Sequence, residues 1–403
     1  MDKENTGAKI FKSEKAEIKK VKTKKNEIKK VEINKAEAKK NEINKTEAKK
    51  NEIKKAEINK TEVKKNEIKK SALKKKGIIR ITTAFAILII LHIALIFISV
   101  LAGSIDTGFI KLFRGLFVEY DPDIAIIYDL RFPRIIVSMT AGAALATAGT
   151  LLQAVLKNPL ADPGIIGVTS GAGFAGVIVS SFFPAIYYQK PLFCVVGACV
   201  AFIMVYMLSW QNGLTPIRII LVGIAVEAVF SGFTQGFEAM AGSTLSGVAS
   251  ITDGNVTLKT WTDVKTIIAY EVPGLIIALL TFSICNILIL KDETVRGLGI
   301  NVNRIRIIVS FIAVFLAGVA TAFAGAISFL GLIVPHIGRL IVGNNHKVLI
   351  PYSMILGLFV FLLADTLGRT IAIPYEISPG IIMAVIGGPS FIMLLRKEKN
   401  YGR

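Results

Sequence analysis

Between residues 77 and 395 the chain carries about ten long apolar stretches, and the breaks between them hold helix stops and clustered charge. A run of about 20 apolar residues is long enough to cross a bilayer as a helix. In lipid, every backbone polar group must find its partner inside the protein. The expected class is therefore all-α, a polytopic membrane protein with about ten transmembrane helices. Composition agrees, because 53% hydrophobic residues and 34 glycines in 403 exceed what a soluble core of this size needs. The expected spans, within a few residues, are 78–101, 135–156, 164–183, 192–210, 216–237, 267–290, 305–323, 327–343, 349–367 and 379–395.

The net charge of +19 is uneven: residues 1–76 hold 27 lysines against 13 acids, leaving an excess of only +5 for the remainder. Two domains follow, a lysine-rich repetitive extension over 1–76, helical or disordered, and a transmembrane domain over 77–403. From residue 16 to 70 the extension repeats every five residues, as in AEIKK, NEIKK and TEVKK. Five residues turn a helix by about 500°, so Ile18, Ile28, Ile33, Ile43 and Ile53 form no single stripe and cannot build a buried core. Each repeat places lysine three residues after glutamate, as in Glu27 and Lys30, which supports an exposed helix. Interleaved glutamate and the absence of aromatics from the repeat disfavour a nucleic-acid arm. Lys74, Lys75, Lys76 and Arg80 beside the first span suit an anionic lipid surface instead.

Those charges also place the amino terminus in the cytoplasm, and ten spans return the carboxyl terminus there. On that layout the inner loops receive Lys157, Arg218, Lys291, Arg296, Arg304, Arg306, Arg339 and Lys347, while the outer ones receive Asp106, Glu119, Asp121, Asp123, Asp253 and Asp263. No cleavable leader is expected, since the first apolar segment begins near Ile78 without a small-residue site after it. Glycine and alanine are dense inside the spans, as in AGAALATAG over 141–149, and predict close helix packing. Gly171, Gly173 and Gly176 fit a dinucleotide fingerprint by spacing only, with no strand before them, and are read as packing glycines.

No phosphate-binding GxxxxGK[ST] loop, HExxH pair or serine elbow is present, so the chain shows no engine for ATP hydrolysis or hydrolytic chemistry. His92, His336 and His346 are scattered, and Cys194, Cys199 and Cys285 lie in apolar segments without zinc spacing. These are read as packing or helix-end residues, with no metal site. Glu227 is a charge inside a span, which demands water or a partner. Transport work and a structural pairing remain equally open for it.

Several segments, in order, are distinctive. They are RFPR at 131–134, AGAALATAGTLLQAVLKNPLADPGIIGVTSGA at 141–172, ILVGIAVEAVF at 220–230 and LKDETVRGLGINV at 290–302. GAISFLGLIVPHIGRLIVGNNHKVLIP at 325–351, LLADTLGR at 362–369 and EISPGIIMAVIGGPSFIMLL at 376–395 follow. Together they resemble the permeases of ATP-driven importers for iron chelates and vitamin B12. The resemblance implies a prokaryotic membrane subunit, one half of a homodimeric or heterodimeric channel. It works with two cytoplasmic ATP-binding subunits and an external binding protein that delivers an iron chelate such as a siderophore or haem; vitamin B12 is the neighbouring alternative. ATP and Mg²⁺ would be used by the partner ATPase, and this chain would bind no cofactor.

The resemblance also implies residue roles. Asp292, Glu293, Arg296, Leu298 and Gly299 match the element that couples to the ATPase. Arg131, Arg134 and Arg369 lie at outer ends of spans, against the inward bias of positive charge. They match arginines that receive acidic residues of the binding protein, a task suited to the fixed guanidinium fork; simple snorkelling is the alternative. The path is expected at the two-fold interface, with Gln153, Asn158, Glu227, Gln235, Ser378 and Ser390 as its polar candidates, and the loop before the fifth span as part of the inner gate. Two departures stand out: the usual tryptophan-containing segment after the fifth span is replaced by residues 240–256, and the basic repeat has no counterpart. From other classes, an intramembrane hydrolase using Asp365, His336 or Glu227, and a membrane scaffold recruiting through its tail, are the alternatives.

Overall fold

A computed structural model describes residues 4–102, 121–209, 216–241 and 254–398. The sequence expectations about Asp106, Glu119, Asp253, the loop before the fifth span, most of the 240–256 departure and the last five residues lie outside these. The chain divides into two compact units, Met1–Ile79 and Arg80–Arg403. Helix α1, Glu4–Leu101, supplies residues to both. In the first unit Ile18, Ile28, Ile33 and Ile43 are each more than half exposed, as the five-residue period requires, and the hydroxyls of Thr23 and Thr46 donate back to the Lys19 and Glu42 carbonyls.

The second unit continues with α2 (Pro122–Leu156), α3 (Val168–Phe182), a 3-10 turn (Pro184–Gln189), α4 (Lys190–Ser209) and α5 (Pro216–Ala241). Next come α6 (Trp261–Leu280), α7 (Phe282–Leu288), α8 (Asp292–Gly297), α9 (Val302–Ala324), α10 (Leu330–Val342), α11 (His346–Thr370) and α12 (Pro379–Glu398). Six of these segments are long and apolar enough to cross a membrane: Lys75–Leu101, Ile124–Leu156, Lys190–Ser209, Ile217–Met240, Val302–Ala324 and His346–Thr370. The pair α6 and α7, bent by 54° at the break between them, reaches the same length and apolarity only when taken together, which brings the number to seven if the pair is one span. The other expected spans are shorter apolar helices: α3, α10 and the Pro379–Met393 part of α12.

The shortening has a local cause. Before α3, residues 157–167 form a compact buried loop, and before α10 the chain leaves the helix at Gly325 and re-enters through Phe329, both at positive φ. Irregular backbone of this kind is tolerated between membrane helices only where protein satisfies it. Here Asp162 Oδ1 accepts from the amides of Gly164 at 2.8 Å and Ile165 at 3.2 Å, and Asn158 Oδ1 accepts from Leu160 at 3.0 Å. Residues expected in spans are thus spent on these two breaks.

Helix α2 is the core element, packed against α6, α9, α10 and α11. Its dense small residues let backbones meet: a Cβ on Gly142 would overlap the carbonyl of Gly357 on α11, and one on Gly357 would overlap that of Gly142. Gly171 and Gly197 make the same reciprocal contact between α3 and α4, which is the structural use of the first of the three glycines that mimic a dinucleotide fingerprint. Helix α6 starts with a capping box, in which Thr260 and Asp263 satisfy each other's amides. Asp263, an outer-loop acid by sequence, is therefore a buried cap. Trp261 beside it packs on Tyr128 of α2 with ring centroids 4.9 Å apart.

Candidate functional site

The polar side chains of the second unit gather mainly at the two ends of α2. This helix has 35 residues, and Arg134, a third of the way along it, is separated from Lys157, just past its end, by a rise of about 35 Å, so the two belong to separate sites.

At the first end, Arg131, Arg134 and Arg369 converge, all nearly buried. Helix α1 stops here, and its last carbonyls have no partners within the helix. Arg131 supplies one donor, Nη1 to Val100 O at 2.6 Å. Arg369 supplies others, Nη2 to Ser99 O at 3.0 Å and Ser99 Oγ at 2.7 Å, and Nη1 to Ala102 O at 3.3 Å. Neither arginine snorkels; both turn inward and cap a helix C-terminus, where positive charge also meets the helix dipole favourably. Arg134 instead bridges two carboxylates. Its Nε and Nη2 reach Asp365 Oδ1 at 2.9 Å each, and its Nη1 reaches Glu376 Oε2 at 2.8 Å. Asp365 is completely buried and also pairs with Arg369 Nε at 3.4 Å, whereas the Glu376 side chain is 45% exposed.

The three arginines and Glu376 line a cleft of about 290 Å³ with Ile126, Ile127, Leu130, Thr257 and Leu258, and Asp365 lies enclosed behind Arg134. Burial pushes the Glu376 carboxyl upward, but the hydrogen bond and charge of Arg134, aided by Thr257 Oγ1 at 3.2 Å, outweigh it and hold the group below its ordinary range. Asp365 and Glu376 are the partners missing from the sequence reading. Asp365 was legible as a carboxylate one turn before Arg369; nothing local tied Glu376 to Arg134, 242 residues away.

At the other end, α8 is a six-residue helix pinned by one apolar side chain, Val295, which is buried. Glu293, Arg296, Leu298 and Gly299 are exposed, with Leu298 64% open. Gly299 has φ 77° and nothing within 4 Å of where a Cβ would sit, so it terminates the helix by a left-handed turn and leaves space around it. Asp292 differs from its neighbours: Lys157 Nζ lies 2.7 Å from Oδ1, and Arg306 reaches both oxygens at 3.1 Å. Burial opposes its ionisation, yet Lys157 and Arg306 prevail and hold it below the usual carboxylate range. Its place is the joint between α8 and the body of the protein, rather than the outer face of the helix.

The expected path residues separate into groups. Gln153 and Asn158 are buried inside the chain: Gln153 Nε2 donates to Ala161 O at 3.1 Å and Gly331 O at 3.0 Å, its Oε1 accepts from Arg339, and Asn158 holds the loop described above. Gln153 ties the two helix breaks together and Asn158 holds the first of them, both from inside the chain. On α5, Glu227 is half-buried and accepts from Ser231 at 3.1 Å, and Gln235 is exposed. Ser378 Oγ accepts from the Ile381 amide at 3.3 Å at the start of α12, and Ser390 Oγ donates to Ile386 O at 2.8 Å.

Glu271 on α6 was missed although the rule that singles out Glu227 applies to it. It is fully buried, and neither carboxyl oxygen has a hydrogen-bond partner among the described residues. Among those residues no three histidine, cysteine or acidic side chains gather as a metal site.

The FecCD transport family matches residues 89–397. The "Probable heme-iron transport system permease protein IsdF" of Staphylococcus aureus strain Newman is 37% identical over 316 residues, covering 78% of this chain and 96% of that protein. The "Fe(3+)-citrate import system permease protein YfmD" of Bacillus subtilis strain 168 is 38% identical over 317 residues, covering 78% and 95%. A solved ABC transporter, described as of metal-chelate type and in an inward-facing conformation, superposes with a TM-score of 0.65 at 27% identity, covering 79% of this chain and 99% of that one.

Proposed function

The chain belongs to the FecCD transport family, and from that premise we propose how its two polar ends divide the work of import. It is the transmembrane permease subunit of an ABC-type iron-chelate importer, a multi-pass membrane protein; it performs no bond chemistry, and ATP is hydrolysed on a separate partner. In the proposed assembly two copies of this chain, two ATPase subunits using ATP and Mg²⁺, and one external binding protein act together, and the permease itself holds no cofactor. Ten crossings are proposed, counting the bent pair and the three short helices, with both termini in the cytoplasm.

The observation that carries the inner assignment is α8: a short helix anchored through Val295 and Asp292, with Glu293, Arg296, Leu298 and Gly299 left in solvent. Such a surface suits a protein partner whose closure pushes on α8, and the Lys157–Asp292–Arg306 joint passes that push to the end of α2 and the start of α9. The outer assignment is that the arginine cleft receives acidic groups of the binding protein, with Arg134 as its nearest edge. The path is proposed along α5 and α12, whose Glu227, Gln235, Ser378 and Ser390 are not enclosed in the core; Gln153 and Asn158 then act by fixing the two helix breaks beside it. Alternate opening toward each side completes transport.

The cargo proposed is haem or a ferric siderophore, supported by what the relatives are named for. Reconstitution with the ATPase and binding protein, followed by ATP-dependent accumulation of labelled haem, ferric citrate, ferric siderophores or cobalamin, tests it. Uptake of an iron chelate is expected. Uptake of cobalamin alone would replace the cargo, and no uptake by an intact complex would sink the assembly.

A further inference from the structure

The outer cleft is lined by three guanidiniums and one carboxylate, with the second carboxylate, Asp365, enclosed behind them, and only one of these five charged groups is substantially open to solvent. Asp365 is 0% exposed and fills the Nε and Nη2 edge of Arg134 from inside, while Glu376 covers Nη1 from outside with its side chain 45% exposed. We propose that Glu376 is an internal stand-in for a carboxylate of the external binding protein, occupying the outward side of Arg134 in the free permease and yielding it when that protein docks. This rests on the docking reading above and adds its regulation.

The two carboxylates are held differently. Asp365 sits on α11, is enclosed, and shares Arg369; removing it would strand two buried charges. Glu376 lies in the non-helical stretch between α11 and α12, where its second hold is a single hydroxyl, Thr257 Oγ1 at 3.2 Å. An ion pair with one half-exposed member contributes little to stability, so exchanging Glu376 for another carboxylate is nearly neutral for the permease. The site also fits the incoming group. With Glu376 in place the cleft keeps one excess positive charge, and with it withdrawn, two. About 290 Å³ admits a carboxylate side chain, and Ile126, Leu130 and Leu258 form an apolar rim that strengthens the pair as it closes. An acidic protein side chain is favoured over the chelate because the group it would replace on Arg134, Glu376, is itself a single side-chain carboxylate.

The test is binding of the purified binding protein, free of chelate, to the complete permease–ATPase complex in nanodiscs. Glu376→Gln should tighten docking about three- to fivefold by freeing Arg134 at unchanged shape. Thr257→Val, which removes only the second hold, should tighten it by a smaller factor, and serves if the first variant does not assemble. Arg134→Lys, which keeps a charge beside Asp365 but loses the fork, should weaken it. If Arg134→Lys weakens docking while neither other variant tightens it, the stand-in role is wrong and the docking surface stands. If Arg134→Lys and Arg131→Gln both dock normally, the docking reading itself fails. Loss of docking on adding free ferric citrate would assign the cleft to cargo and overturn the proposal.

Discussion

The two ends of α2 solve opposite problems with the same residue types. At the outer end every arginine is turned inward, and its donors go to carbonyls, Ser99 or carboxylates of the same chain. At the inner end Asp292 and Val295 are drawn back, and the other side chains of α8 stand clear of the protein. Charge that is already satisfied must be exchanged before it can bind, whereas an exposed short helix binds as it is. On the proposed assignment, the outer contact suits a partner that comes and goes, and the inner one a partner that stays.

The comparison breaks most visibly at Asp365. Asp365→Asn leaves Arg134 and Arg369 without their buried counter-charge, and a loss of about 3–5 kcal/mol of stability is expected. A melting curve of the purified permease reads it, and an unchanged midpoint would show that the outer cluster is not structural. Next in size is the double replacement of Arg296 and Leu298 by Ala. Because both side chains are exposed, the melting point should hold while affinity for the ATPase falls by about tenfold or more. Normal ATPase binding would remove α8 from the interface.

The smallest effect sharpens the contrast through pH. Asp292 and Glu376 are both held below the ordinary carboxylate range in the folded chain. Their contribution is complete above the unfolded value, near about pH 4, and is lost as pH falls through the lower folded values. Acidification from about pH 5 to 3 should lower the melting point, and Asp292→Asn should flatten part of that fall, worth at most about 1 kcal/mol because the pair is partly exposed. An unaltered slope would contradict the joint between α8 and α2.

Family, class and the ends at which charge collects were legible because they rest on local signals: apolar runs, the motif around Pro133, and the charged turn after residue 290. The partners of the arginines were not, since Ser99, Val100 and Glu376 become neighbours only when α1, α2 and α11 pack together. Span length misled for α3 and α10. Apolar composition does not distinguish helix from a buried irregular loop, and Asp162 and Asn158 reveal the breaks only once their side chains are seen capping amides. Glu271 shows a further limit. A helix apolar on all sides does not tell which face the core will claim, so the sequence offered no reason to rank it above Glu227.

The reciprocal contact of Gly142 with Gly357 leaves α2 and α11 no clearance to slide: either helix must lift off before it can shift along the other. The contact works as a rivet, and it sits between Arg134 and Lys157 on one side and between His346 and Asp365 on the other. Arg134 and its counter-charge on α11 are thus carried on a single stiff plate. A stroke in such a machine would have to come from outside this plate; α5 has open space at Gly232 and Gly236, while its first half is seated on the 165–167 loop through Gly223, where a Cβ would fall 2.8 Å from the Ile165 carbonyl oxygen.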